Sequence, residues 1–338
     1  MIEYKQPAIV EEIRRRIRCG TYSGQLPSTV ELAKEFGVNV KTMGKAISQL
    51  VDARLLERRR RCGTRVIAGM ISRPEEELIE VIFEGSTSLF THPFWGEIWS
   101  AIVSELSLAG FRSVLNMLEA DNKTGLLHLE NFSMCPSAGK IVLGIAEPHL
   151  LERVRSSGVP FVVAGDRIGS KEIPQITFDF YTGIRDAVDF LNAQGCRRIA
   201  FIGQTQSYVD TAQVHKYNAY LKAVQRYCQI NPLLVENVRP LAELGRPAMI
   251  NMLDRAAPDA LIAAYDHQLP GILDVLRERG IEMPVIGCDG LKSEILPKNR
   301  HIVKAPLHLC GVTAAKALIC AIRKKSEVRS QFLKAEFY

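Results

Sequence analysis

The sequence predicts a mixed α/β protein in two parts, a small N-terminal winged helix-turn-helix and a larger two-lobed α/β domain with parallel sheets. Three observations carry this. Residues 1–73 hold 15 Lys and Arg against 7 Asp and Glu, whereas residues 74–338 hold 28 against 30, so the positive excess lies in the first fifth of the chain. Within that fifth, three helical patterns precede an arginine-rich hairpin. Beyond it, strand and amphipathic-helix patterns alternate, as expected of parallel strands covered by helices on both faces. At 338 residues and 47% hydrophobic, the chain is long and apolar enough for two domains. The boundaries expected are 1–70 for the first domain, 71–77 for a linker that includes Arg73-Pro74-Glu75-Glu76-Glu77, and 78–338 for the second.

The first helix is expected from Gln6 to Arg18, with Ile9, Val10, Ile13 and Ile17 at helical spacing and Gly20 as its stop. Ser28 is the N-cap of a second helix. Glu31, three residues on, completes a capping box, and Leu32, Ala33 and Phe36 supply the buried face before Gly37 ends the helix. Asn39 caps a third, whose Met43, Ile47, Leu50 and Val51 face inward. The run from Arg58 to Val66 then reads as two short strands around a Gly turn, a basic wing. A run of four arginines is elsewhere an ordinary solvated surface; here it falls where a wing belongs.

Helix N-termini fit the major groove and read base edges, while wing arginines reach phosphates or the minor groove. The expected partner is therefore double-stranded DNA. The expected contacts are Ser28, Thr29, Asn39, Lys41, Thr42, Lys45, Arg58, Arg59, Arg60, Arg61, Gly63 and Thr64.

Several ordered motifs in this segment are those of a family. They are Gly20-x-Tyr22-x-x-Gln25-Leu26-Pro27-Ser28, Glu31-Leu32-Ala33-x-x-Phe36-Gly37-Val38-Asn39, Thr42-x-x-Lys45-Ala46-Ile47 and Gly63-Thr64-x-Val66. Over about 60 residues the segment resembles the GntR family of bacterial winged-helix regulators. It departs from the family where arginines that typically touch DNA fall on Val30, Val40 and Gly44.

In the larger part, strands are expected at Leu78–Phe83, Ser113–Met117, Lys140–Leu143, Pro160–Ala164, Gln175–Phe178, Arg198–Gly203, Ala260–Ala264 and Pro284–Cys288. Helices are expected at Trp95–Ala109, Thr182–Gln194, Gln213–Tyr227 and Leu269–Arg279, among others. Some 260 residues of this pattern suit two lobes, with a ligand beyond the carboxyl ends of the strands, in the cleft between them.

The segment also carries His92-Pro93-Phe94-Trp95, Phe178-Asp179 before Gly183, Gly195-Cys196-Arg197-Arg198-Ile199-Ala200-Phe201-Ile202-Gly203, Pro258-Asp259-Ala260-Leu261-Ile262 with Asp266, and Pro284-Val285-Ile286-Gly287-x-Asp289. In these it resembles the LacI/GalR ligand-binding domain, a relative of periplasmic sugar-binding proteins. The resemblance implies a cleft ligand held by Asp289, Asp179 and Lys216, with Tyr265 where an Asn is usual, Asp266 and Ser86 nearby, and Phe94 or Trp95 stacking on a sugar face. A Lys in the usual Arg position gives up bidentate geometry. His215 reads as a neighbour rather than a ligand, and Trp95 reads equally well as helix-face core. The two resemblances together describe an arabinose-repressor-type chimera, and they imply a homodimer.

Function classes narrow accordingly. The expectation is a transcriptional regulator, a repressor controlled by a small sugar-like effector; the alternative is a solute-binding protein of the sugar-binding class without a regulatory role. No G-x-S-x-G, H-E-x-x-H or P-loop pattern supports an enzyme, and no cofactor is expected. Eight cysteines without a C-x-x-C pair suit reduced thiols rather than a zinc site. No apolar run approaches the ~18 residues of a membrane span, and the first residues lack the pattern of an export signal. The expected location is the cytoplasm.

Overall fold

The computed structural model describes residues 6–18, 22, 24–59, 63–67, 77–84, 92–119, 127–130, 132–206, 212–291 and 301–338. The chain divides into two units, Met1–Ile79 with Pro136–Ala138, and Glu80–Cys135 with Gly139–Tyr338.

The first unit holds α1 (Gln6–Arg18), α2 (Thr29–Glu35), α3 (Val40–Asp52) and the strands β1 (Leu56–Arg59) and β2 (Gly63–Val66). Their apolar faces close on one core that includes Ile9, Ile13, Ile17, Leu32, Phe36, Met43, Ile47, Leu50, Leu56 and Val66. The helix starts follow from local chemistry. Ser28 Oγ accepts the Glu31 N–H while the Glu31 carboxylate accepts the Ser28 N–H at 2.8 Å, a complete capping box. Gly37 takes φ +64°, so the chain leaves α2 through a left-handed turn that favours glycine. β1 and β2 pair antiparallel with Leu56 opposite Val66 and Arg58 opposite Thr64. Arg16 of α1 lies over the Phe36 ring at 4.7 Å and bonds Glu12, Glu35 and the Tyr22 hydroxyl, tying α1 to the end of α2. Arg60, Arg61, Cys62 and linker residues 71–76 lie outside the described residues.

The larger part continues through β3 (Leu78–Glu84), α4 (Pro93–Leu108), β4 (Arg112–Leu118), β5 (Gly139–Leu143), α5 (Pro148–Ser156), β6 (Phe161–Ala164), β7 (Gln175–Asp179) and α6 (Tyr181–Ala193). Next come β8 (Ile199–Gly203), α7 (Ala212–Val224), β9 (Val235–Asn237), α8 (Gly245–Arg255), β10 (Ala260–Ala263), α9 (Leu269–Glu278) and β11 (Val285–Gly287). The last elements are β12 (Val303–Lys304), α10 (Leu307–Lys324), β13 (Gln331–Lys334) and β14 (Glu336–Phe337).

Two principal sheets define two lobes. The first has strand order β13-β7-β6-β5-β3-β4 and the second β11-β10-β8-β9. The pairs β13–β7, β7–β6, β6–β5, β11–β10, β10–β8 and β8–β9 are all parallel. Every residue of β5, β6, β8 and β10 is buried, which explains the unbroken apolar runs of β6, β8 and β10; β5 is interrupted by Lys140. Pro160 and Pro284, expected as first strand residues, stand just before β6 and β11, since proline has no N–H to give a ladder. The chain enters the second lobe after β7 and returns through α10, which packs along α4 with Gly311 against the Ile98 carbonyl and Ala101. β13 then lies beside β7, with Gln331 opposite Ile176. A buried Lys140 ammonium pairs with Glu80, whose carboxylate also accepts N–H bonds from Asn116 and Cys135.

Candidate nucleic-acid interface and ligand cleft

In the first unit, Lys41, Lys45 and Arg58 are exposed and line one open groove with Gly44, Ser48, Gln49 and Asp52. Three expected DNA contacts are already engaged within the chain. The Ser28 hydroxyl completes the capping box. Asn39 Oδ1 accepts the Thr42 N–H at 2.7 Å and the Thr42 hydroxyl at 2.9 Å, so both side chains serve the start of α3. Thr29 and Thr64 are half-buried, and Gly63 is exposed with φ +81°. The side chains of Arg59, Arg60 and Arg61 lie outside the described residues. Val30 and Val40 stand out as apolar side chains turned to solvent.

The carboxyl ends of the two parallel sheets bring the expected ligand residues together, apart from Ser86, which lies outside the described residues. Lys216 of α7 and Asp289, just past β11, are not open to a ligand in the way the sequence reading expects. They pair with each other at 2.6 Å, both buried. The Lys216 ammonium also donates to the Ala264 carbonyl at 2.7 Å and lies 4.5 Å from the centre of the Phe180 ring and 5.3 Å from that of Tyr265. Asp289 Oδ2 accepts the Asp266 N–H at 3.0 Å. Asp266 in return accepts the N–H groups of Asp289 and Leu291, which knits the ends of β10 and β11. The Tyr265 hydroxyl accepts the Gln204 N–H at 3.3 Å. Asp179 accepts the Tyr181 N–H at 2.9 Å and lies 3.3 Å from His215 Nε2, which is 3.5 Å from the Arg167 guanidinium.

On the first lobe, Trp95 lies on a floor of two glycines at the ends of β5 and β6. A Cβ at Gly144 or at Gly165 would come within 2.6 Å of its indole, and both glycines have φ in the left-handed region, +68° and +84°. Trp95 meets Phe83 and Phe94 edge-on, and Phe94 meets Phe178. Gly165→Ala is expected to cost about 2–4 kcal/mol, from a forced left-handed alanine and an overpacked indole. Urea unfolding followed by tryptophan emission checks this; an unchanged midpoint would remove the floor from the account.

Two histidines that the sequence reading does not single out as ligand residues meet between the lobes. His92, the N-cap of α4 in the first lobe, meets His267, just past β10 in the second, edge-to-face at 5.0 Å, and Tyr265 stacks on His267. His92 Nδ1 and both ring nitrogens of His267 are buried without a hydrogen bond of good geometry. Burial, reinforced by His267, lowers His92 from 6.5 to about 4, with Asp289 opposing. Burial likewise lowers His267, with Lys216 in the same sense and Asp289, Glu243 and the Pro240 carbonyl opposing.

A group held neutral by the fold contributes stability that is full above its ordinary value and is lost as pH falls from 6.5 toward 4. His92 alone should make the protein about 2 kcal/mol less stable at pH 5 than at pH 7.5. The difference between wild type and His92→Phe, which keeps a ring and has no proton to bind, isolates this share. Equal pH profiles for the two would contradict it. No local sequence signal marks this pair, because its partners come from opposite lobes.

Comparison with known proteins places these two regions. Residues 5–66 match the family model described as bacterial regulatory proteins of the gntR family, and residues 188–335 match the periplasmic binding protein-like domain. The HTH-type transcriptional regulator CelR of Thermobifida fusca is 28% identical over 265 residues, covering 74% of this chain and 76% of its own. Catabolite control protein A of Priestia megaterium is 22% identical over 316 residues, covering 88% and 92%. The chain is homologous to bacterial transcriptional regulators.

Solved structures agree on the fold. A CelR–cellobiose complex aligns with a TM-score of 0.65 at 22% identity, covering 93% of this chain and 98% of that one. The lac repressor dimer bound to operator and an anti-inducer gives 0.65 at 22%, covering 77% and 92%. The gntR-type match coincides with the unit that carries the Lys41–Lys45–Arg58 groove. Among the described residues no helix is long and apolar enough to cross a membrane.

Proposed function

We propose that the protein is a repressor of the arabinose-repressor arrangement, acting in the cytoplasm without enzymatic activity. Residues 1–70 bind double-stranded operator DNA, residues 71–77 link, and residues 78–338 bind a sugar or sugar derivative between the lobes and pair two copies into a homodimer. The observation that carries the reading is the exposed Lys41–Lys45–Arg58 groove along α3. A solute-binding protein has no use for it. Lysines and arginines there neutralise phosphates and release counterions, the main source of affinity for DNA.

In the sensor, Phe94, Trp95, Asp179, Lys216, Tyr265, Asp266 and Asp289, with Ser86, surround the effector. CelR, solved with cellobiose, supports an uncharged sugar as the first class to try. An effector acts as a switch only if it favours one lobe arrangement over the other. Because Lys216 and Asp289 pair with each other, a polyhydroxylated effector must either add to the remaining lone pairs of Asp289 or separate the pair. Thermal unfolding against sugars, sugar acids, polyols and nucleosides tests the sensor. A true effector at 100 times its dissociation constant stabilises by about 2.7 kcal/mol and changes DNA affinity. A panel member that stabilises without changing DNA affinity would support the solute-binding alternative instead.

A further inference from the structure

Val40 is an apolar side chain next to the charges of the DNA-facing groove. It begins α3, is 49% exposed, and stands beside Lys41 in a head whose other helical apolar residues, Val30 apart, are mostly drawn into the core. The nearest side-chain acceptor is engaged: Asn39 Oδ1 accepts both the N–H and the hydroxyl of Thr42. One turn further, Gly44 has no side chain, and a Cβ there would meet nothing within 4 Å.

The outward chemistry of this part of α3 is therefore two ammonium groups, the amide N–H groups of Asn39 and one isopropyl group, the last being its only exposed apolar side chain among the described residues. Ammoniums attract phosphates or guanine oxygens. An isopropyl group has one apolar complement on the base edges of the major groove, the C5-methyl of thymine. Lys41 and Lys45 supply the charge complementarity that brings DNA to this face, and the bare backbone at Gly44 lets the helix approach closely.

We propose that Val40 reads a thymine methyl group in each operator half-site. This rests on the DNA-binding reading above and adds a specificity contact that a charged surface alone does not provide.

The test uses the full-length protein and a duplex enriched by it from a random pool. Each thymine is replaced in turn by deoxyuridine, which removes the methyl and leaves every hydrogen-bonding group in place. Wild type is expected to lose about fourfold in affinity at one position of each half-site, the worth of one buried methyl group. Val40→Ala should bind the thymine and uracil duplexes alike at that position, and Val40→Ile should restore the discrimination. Val30→Ala serves as the comparison and should leave it intact, since the preceding helix crosses the backbone rather than entering the groove. Val40 is exposed, so these variants are expected to fold, and circular dichroism checks it.

The proposal is overturned if no uracil position weakens wild-type binding, or if the loss persists undiminished in Val40→Ala. If the protein enriches no sequence and its binding is insensitive to salt, the DNA-binding reading itself fails. The two failures are thus distinguishable.

Discussion

Replacing Lys216 by Met is expected to cost about 3–5 kcal/mol of stability, because it leaves the Asp289 carboxylate buried without its counter-ion. Methionine is unbranched and only one heavy atom shorter than lysine, so little of the loss comes from packing. The ammonium also contributes a bond to the Ala264 carbonyl and two aromatic faces that favour a cation, and these are lost together. Adding Asp289→Asn to Lys216→Met should recover part of the loss, since the amide removes the stranded charge and keeps an oxygen for the Asp266 N–H. Urea midpoints for the two variants and the wild type read this directly. A single variant within 1 kcal/mol of wild type would mean that the pair is hydrated rather than buried. The same geometry governs Asp289→Ala, which strands the buried Lys216 ammonium. That change should abolish the effector response and also lower stability, so its effect on sensing must be read at a temperature where the variant is fully folded.

The second large effect belongs to the head. Lys41→Ala, Lys45→Ala and Arg58→Ala combined should weaken binding to all duplexes by about 10- to 100-fold at 150 mM salt and flatten the slope of log K against log salt by up to about 3. All three side chains are exposed and none contributes to the apolar core of the head, so the variant should unfold like wild type. Loss of affinity with an unchanged salt slope would show that these groups do not touch phosphates.

The head was largely legible from its residues. Caps and helix faces are local, and Ser28, Glu31, Asn39, Met43 and Ile47 each do what three- and four-residue spacing implies. The parallel strands were legible for the same reason, since three of them, β6, β8 and β10, are apolar without interruption. Short elements were not: β9, β12 and β14 have two or three residues each and acquire strand geometry from their neighbours. The cleft shows the limit most clearly. Asp289, Lys216 and Tyr265 could be picked out from family resemblance, but spacing along a chain says which residues converge and not which will satisfy one another. That Lys216 pairs with Asp289 across 73 positions, and that His92 meets His267 from the other lobe, are properties of the tertiary fold. Val40 and Gly44 could be recognised as departures from a pattern; the exposure of Val40 beside an Asn39 whose Oδ1 is already engaged is what gives the departure a chemical meaning.

The most direct test of the account is the equilibrium binding of the intact protein to its enriched duplex and to a scrambled duplex between 50 and 200 mM salt. The account predicts that affinity for both falls steeply with salt, by about 10³-fold or more if six phosphates are neutralised, and that the enriched duplex stays at least about 10³-fold tighter throughout. Binding that is weak, independent of salt and equal for the two duplexes would contradict it.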